Sequence, residues 1–370
     1  MEWKFVRLLS IGQIRPGMKL GKRIYNEEGL TLLAEGAELT SSILRRLEQL
    51  GINMLYVRDE VTDDIILPEM VTDETRQQAI KQIRTVYRSM MNDTMGRMSY
   101  PHLGYSFRKM TEEILNDLGS REDVLIMLGD IHTTDYYLYT HSFNVCLYTL
   151  TLGMAAGYSR DDLFTLGMGS ILHDIGKTKI SPKVLLKPGK LTDEEFSEMK
   201  RHTEFGFSML KDEPFVPLLA AHCAFQHHER LDGSGYPRGI HEGEIHDFAK
   251  WIAITDSYDA MTTNRVYRRG MLPHQAVEIL YGGSCTQYDQ RKLEVFRDKL
   301  ALYPVGLTVK LTTGETGVVT SVPPKTPNRP IVRIIEDAEG ASIQPYEVDL
   351  SQKLSIMVDR ISTWEKETLK

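Results

Sequence analysis

The spacing of apolar and polar positions divides the chain into three zones. In residues 1–60, short β-like runs at Phe5–Leu9, Ile24–Tyr25 and Leu30–Leu33 are separated by glycine turns. A helical period follows over Thr40–Leu50, with Thr40 placed to cap it and Gly51 to stop it, and Ile52–Val57 reads as one more strand. These elements predict a small α+β module. Residues 61–72 are polar and acidic with one proline and read as a linker, so residues 61–104 are expected to form a linker and a first helix.

From Asp73 to Tyr303 apolar residues recur at helical spacing. The periodic segments are Glu74–Met91, Ser106–Leu118, Arg121–Leu128, Asp135–Ala156, Arg160–Leu172, Thr192–Leu210, Val216–Glu229, Ile245–Thr262, Pro273–Tyr281 and Gln287–Leu302. Thr192 with Glu195 makes a capping box, and Ser159 with Asp162 a weaker one. Such sustained periodicity predicts an all-helical domain, placed at residues 105–303. After Pro304 the period changes to two. Val309–Leu311, Gly317–Val322 and Pro330–Ile335 predict a β-rich appendage over residues 304–370. The expected fold class is mainly α, with a small α+β module before the helices and a β-rich one after them.

Composition narrows the function classes. The 44 basic and 51 acidic residues give a net charge of -7, which argues against an extended nucleic-acid surface but leaves room for a small anion. The apolar run around Val145–Gly157 is broken by Cys, Tyr, Thr and Gly, so it reads as a buried helix. No stretch approaches the roughly 20 apolar residues a membrane span needs. The first residues lack the apolar core of a secretory signal. Cys146, Cys223 and Cys285 are odd in number and have no metal-site spacing. They predict a reducing, cytoplasmic setting and three small buried side chains.

Histidine carries the candidate chemistry, with 11 copies. One histidine on a helix is usually structural, so convergence is the question. In Leu172-His173-Asp174-Ile175-Gly176-Lys177, a His and an Asp end an apolar helix. Consecutive helical residues point about 100° apart, so the two can serve different cations, or the carboxylate can bridge a pair. The second block is Gln226-His227-His228-Glu229-Arg230-Leu231-Asp232-Gly233-Ser234-Gly235-Tyr236-Pro237. Its glycines are expected to take backbone angles closed to other residues, and Tyr236-Pro237 to stiffen the loop.

These two blocks resemble the HD-GYP family, a branch of the HD-domain metal phosphohydrolases that acts on cyclic di-GMP in bacteria. Further marks follow in family order: His141-Ser142, Lys187-Pro188-Gly189-Lys190-Leu191-Thr192, His202-Thr203 with Gly206, and Asp256 with Asp259 leading to Arg265 and Arg268. The resemblance covers roughly residues 105–300. It implies metal ligands at His141, His173, Asp174, His202, His227, His228 and Asp256, and a catalytic role for His173, Asp174 and Lys177. It implies substrate contacts from Lys177, Tyr236, Asp259, Arg265 and Arg268. It further implies two divalent ions, iron or manganese, which lower the pKa of a shared water and make hydroxide available near neutral pH. The implied reaction opens cyclic di-GMP to linear pGpG, with GMP only if a second cut follows.

The chain departs from the family at several places. Tyr137 stands where some members have a Glu that admits a third metal, so two metals are expected and the second cut is in doubt. His246, Lys250, Asn264 and Val266 replace commoner residues, and none is an expected ligand. His132, His222, His241 and His246 fall outside the pattern and are expected at the surface or in packing. Two alternatives stand beside hydrolysis of cyclic di-GMP: a catalytically weak sensor or partner-binding module, and a phosphodiesterase for mixed cyclic GMP-AMP. The flanking zones leave a homodimer or a regulatory protein partner open.

Overall fold

The structure is a computed structural model and describes residues 7–25, 31–52, 54–59, 62, 64–65, 67–92, 103–121, 125–126, 137–263 and 270–361. The N-terminal module contains β1 (Arg7–Ser10), β2 (Ile24–Tyr25), β3 (Thr31–Leu33), α1 (Ser41–Gln49) and β4 (Met54–Val57). β1 pairs antiparallel with β4, and β2 with β3. The expected cap forms: Thr40 Oγ1 accepts the Ile43 amide at 3.3 Å. Gly51, at φ +78°, ends α1 with its amide on the Glu48 carbonyl at 2.9 Å.

The helical zone holds α2 (Asp73–Asn92), α3 (Leu103–Gly119), α4 (Tyr137–Ala155), α5 (Arg160–Leu172), α6 (Pro182–Leu185), α7 (Asp193–Lys200), α8 (His202–Leu210), α9 (Leu218–Gln226), α10 (Asp247–Thr262), α11 (Pro273–Gly282) and α12 (Gln290–Lys299). α4 is buried on every side from Tyr139 to Gly153, which identifies it as the central helix. α2, α5, α10 and α12 pack around it. The main core runs from Met70 through Ile83, Tyr87 and Phe107 to Leu300, so α2 belongs to the same apolar body as the rest of the helices.

Three sequence expectations change. Of the predicted helix at Arg121–Leu128 only residues 121, 125 and 126 are described, and they are not helical: Ile126 forms a bridge, donating its amide to the Lys299 carbonyl at 2.7 Å and accepting from the Ala301 amide at 3.0 Å. The predicted helix at Thr192–Leu210 divides at Arg201 into α7 and α8, which turns the second to aim His202 inward. Cys146 and Cys223 are buried as expected, but Cys285 is exposed at the start of a tight turn.

The C-terminal zone is a five-stranded antiparallel sheet of β5 (Thr308–Leu311), β6 (Thr316–Ser321), β7 (Ile331–Glu336), β8 (Ser342–Asp349) and β9 (Val358–Ile361), in the order β8-β7-β6-β5-β9. Its buried face shares one apolar cluster with the N-terminal module: Leu8 and Tyr56 lie against Leu307, Val309, Val332 and Val348. The Leu8 amide reaches the Gly306 carbonyl at 2.8 Å. Arg333 grips the Asp64 carboxylate at 2.5 and 2.7 Å. The two ends of the chain therefore fold against each other. Among the described residues, no helix is long and apolar enough to cross a membrane.

Candidate metal centre

Five elements bring the expected ligands together. α4 supplies His141, and the end of α5 supplies His173 and Asp174. His202 opens α8, His227 and His228 follow α9, and Asp256 comes from the middle of α10. A 3-10 turn at Ile175–Lys179 carries the chain away from Asp174 toward α8. A Cβ on Gly176 would lie 1.9 Å from the His202 carbonyl oxygen, so only glycine lets the turn come this close.

Asp174 is the hinge of the arrangement. Its Oδ1 faces His202 Nε2 at 3.5 Å and His227 Nε2 at 3.8 Å. Its Oδ2 faces His141 Nε2 at 3.5 Å and His173 Nε2 at 3.4 Å. The ligand atoms of Asp174, His202, His227 and His228 lie within 4.8 Å of one another, and so do those of His141, His173 and Asp174. Asp256 closes the second group, with Oδ1 3.1 Å from His141 Nε2, and points Oδ2 at His228 Nδ1, 3.8 Å away.

The outer nitrogens of these rings are already used. His173 Nδ1 donates to the Ser170 carbonyl at 2.7 Å, His202 Nδ1 to Met199 at 2.7 Å, and His227 Nδ1 to Ala224 at 3.0 Å. Each bond fixes the proton on Nδ1 and leaves the Nε2 lone pair facing inward, as a metal ligand requires. Burial pushes His202 down to about 4, and burial together with the neighbouring imidazoles holds His227 and His228 well below the ordinary range. These rings are neutral at pH 7. Burial by itself pushes Asp174 up, but Lys177, His173 and His141 override it and hold the carboxyl well below the carboxylate range. Asp256 is held down in the same way, against burial, by His141 and His228.

The fit to a cation is direct. His173 Nε2 and Asp174 Oδ1 are buried and have no hydrogen-bond partner among the described residues. Buried polar atoms without partners are rare, and here two of them face one another's cluster in a site rich in neutral imidazole and carboxylate. The donor set suits divalent metals.

Other expected residues find more varied places. Lys177 Nζ donates to Asp174 Oδ2 at 2.5 Å, beside the centre. Tyr236 stacks on His228 with ring centroids 4.7 Å apart, walling the pocket. Asp259 differs from expectation. It is fully buried, accepts from His141 Nδ1 at 2.8 Å through Oδ2, and accepts from Asn144 Nδ2 at 3.0 Å through Oδ1. Both oxygens are engaged, and the first of these bonds braces His141 from behind. Arg265, Arg268 and His132 lie outside the described residues, as does the side chain of Tyr137. His222 packs on Phe207, and His246 caps α10 by accepting the Phe248 amide at 3.2 Å.

Two residues were not singled out in the sequence. Asn144 braces Asp259; its signal is an amide side chain three residues after His141 on a buried helix. Glu229 is buried and accepts the amides of Arg238 at 2.9 Å and Ile240 at 3.2 Å, tying down the glycine-rich loop. Inside that loop the glycines act differently. Gly233 takes φ +79°, whereas Gly235 does not take a positive φ. Gly235 is required because a Cβ there would meet the Arg230 amide at 2.4 Å.

Comparison with known proteins agrees with this geometry. The HD domain family matches residues 133–291, and a KOW domain associated with HD domain matches residues 308–369. Residues 133–291 thus resemble the HD domain family. The string from His227 to Pro237 and the two candidate metal groups agree with the resemblance to its HD-GYP branch. The chain is 32% identical over 241 residues to the cyclic di-GMP phosphodiesterase PA4108 of Pseudomonas aeruginosa, covering 65% of this chain and 58% of that protein. It is 36% identical over 176 residues to a cyclic di-GMP phosphodiesterase of Thermotoga maritima, covering 47% of each. It is 35% identical over 169 residues to the 3'3'-cGAMP-specific phosphodiesterase 3 of Vibrio cholerae, covering 45% of this chain and 36% of that protein. The chain thus spans between about a third and three fifths of the length of these curated relatives.

Proposed function

We propose that the protein hydrolyses a phosphodiester bond of a cyclic dinucleotide, with cyclic di-GMP as the leading substrate and linear pGpG as product, in second-messenger signalling. The observation that carries the reading is Asp174, whose two oxygens each face a separate imidazole cluster. His141, His173, Asp174 and Asp256 would hold one divalent ion, and Asp174, His202, His227 and His228 a second. Iron and manganese suit this mixture of nitrogen and oxygen donors. When bound, such a pair supplies Lewis acidity and lowers the pKa of water.

The protein's own residues then have separable tasks. Asp174 joins the two clusters, and Lys177 adds fixed positive charge beside it, where negative charge grows on the phosphorus oxygens. Asp259 and the carbonyls of Ser170, Met199 and Ala224 orient the rings. Tyr236 covers His228 and narrows the entry of water. Arg265 and Arg268 are assigned to the substrate's phosphates and guanine edges on the sequence motif alone. Tyr137 replaces the carboxylate a third ion would need, so the reaction is expected to stop at pGpG.

A mixed cyclic GMP-AMP is a second substrate reading, favoured by the likeness to the Vibrio cholerae cGAMP-specific enzyme. The test is purified protein with added manganese or iron, given cyclic di-GMP or 3'3'-cGAMP, beside a His173→Ala, Asp174→Ala variant. The unaltered protein should open one of the two rings, lose activity on chelation and regain it with metal. The variant should lose at least about 100-fold in rate. A metal-loaded protein that cuts neither dinucleotide would sink the reading.

A further inference from the structure

Arg230 lies two residues beyond His228, at the start of the glycine-rich loop, and the resemblance gives it no role. The loop folds back on it. The Gly233 amide donates to the Arg230 carbonyl at 2.9 Å, and Gly235 packs against the Arg230 amide so closely that a Cβ would not fit. The guanidinium lies over the Tyr288 ring, 4.8 Å from its centroid. The Tyr288 hydroxyl in turn donates to Ser257 Oγ at 2.9 Å, and Ser257 follows the ligand Asp256 on α10. Arg230 thus belongs to the loop that carries Tyr236, and through Tyr288 its guanidinium is linked to the helix that carries Asp256.

What the guanidinium lacks is an anion. Nη1 is buried and has no hydrogen-bond acceptor, and no carboxylate among the described residues pairs with the group. Lys177 is different, because Asp174 already engages its Nζ. Arginine carries a planar fork of donors suited to phosphate, and a buried N–H without an acceptor is costly unless a ligand supplies one. A cyclic dinucleotide carries two phosphates. Only the one being cut needs the metal centre, so the other must rest elsewhere on the pocket wall.

We propose that Arg230 binds the phosphate of the cyclic dinucleotide that is not being cut, with Tyr288 as the platform that holds the guanidinium in place. This rests on the cyclic-dinucleotide reading above. It makes Arg230 a substrate-binding residue whose effect appears in affinity more than in the chemical step.

The test uses the full manganese-loaded chain with Arg230→Met, which keeps the apolar stem on Tyr288 and removes the charge, and Arg230→Lys, which restores a charge without the fork. Calorimetry with linear pGpG reads affinity apart from turnover, and steady-state kinetics on cyclic di-GMP separate KM from kcat. Thermal melting and metal content show whether the loop and the centre remain intact. For Arg230→Met, Kd and KM should rise roughly ten- to a hundred-fold while kcat changes far less, and Arg230→Lys should recover part of the loss. On bis(4-nitrophenyl) phosphate, which has no second phosphate, the loss should be much smaller. Unchanged Kd for pGpG, or an equal fall in kcat on both diesters with altered melting, overturns the assignment and leaves Arg230 a brace for the loop. An unaltered protein that binds pGpG but cuts no dinucleotide ends the hydrolysis reading alone, and the Kd of Arg230→Met still decides this one. An unaltered protein that binds no dinucleotide ends both.

Discussion

Asp256 and Asp259 stand three residues apart on α10, so both project from one side of that helix. The string Asp256-Ser257-Tyr258-Asp259 shows this in the sequence, but not which way each carboxylate leans. That depends on the crossing of α10 with α4, which puts Asp256 at His141 Nε2 and Asp259 at His141 Nδ1. The residues that converge at the candidate centre were legible because each lies in a distinctive string. The supporting residues were not, because a carboxylate behind a ligand and one facing substrate read alike along a chain. Asp259 has a clear expected effect. Asp259→Asn leaves a neutral partner and a choice of amide orientation, so His141 loses its fixed tautomer. Metal affinity should fall roughly ten- to a hundred-fold by competition titration, with a similar fall in the proposed activity at limiting metal. Saturating metal should recover much of the rate. If affinity is unchanged, Asp259 does not orient His141.

Helices were legible as periods, and their ends only where a cap marked them. Thr192 and Glu195 form both bonds of the expected box, at 2.7 and 3.3 Å. The division at Arg201 carries no such signal, since the apolar spacing runs on across it. Ile126 misled for the opposite reason: an apolar residue at helical spacing serves equally well beside a neighbouring chain segment, and its amide pairs with Lys299. The approach of the Ile175–Lys179 turn to α8 is an element-scale constraint that sequence shows only as Gly176 beside Asp174. Gly176→Ala sets a methyl group against the His202 carbonyl, which is backbone and cannot rotate away. A cost of about 1–3 kcal/mol in stability is expected from this overpacking, read by denaturant unfolding. Because the clash parts Asp174 from His202, the ion proposed for His202, His227 and His228 should be lost before the one proposed for His141 and His173. Metal analysis that shows both ions retained at full affinity would contradict this.

At the scale of the whole molecule, the flanking zones are less separate than their composition suggests. The period changes near Pro304 and the linker after residue 60 mark boundaries in sequence, yet Leu8 and Tyr56 share a core with Val309 and Val332. Contacts between ends so far apart leave no local trace, because each strand only shows that one of its faces is apolar. The helical body between them is organised around a core that is polar at its centre, and this sets its response to acid. His202 is held neutral by burial, down to about 4 from an ordinary 6.5. An unfolded chain protonates that ring first as pH falls, so between about 6.5 and about 4 the unfolded state binds the extra proton and stability declines. The depressed Asp174 and Asp256 act in the same sense, because carboxylates held ionised in the fold contribute stability that is lost as pH falls below the ordinary carboxylate range. Metal-free protein kept in chelator should therefore be most stable near neutral pH. It should lose on the order of 3 kcal/mol from His202 alone by pH 4, with the carboxylates adding to the loss below that. Melting temperatures across this range test it, with His202→Gln as the comparison, since that variant lacks the titrating ring and should show a shallower decline between pH 6.5 and 4. A parallel decline in the two proteins would mean that the buried imidazole is not what acid attacks.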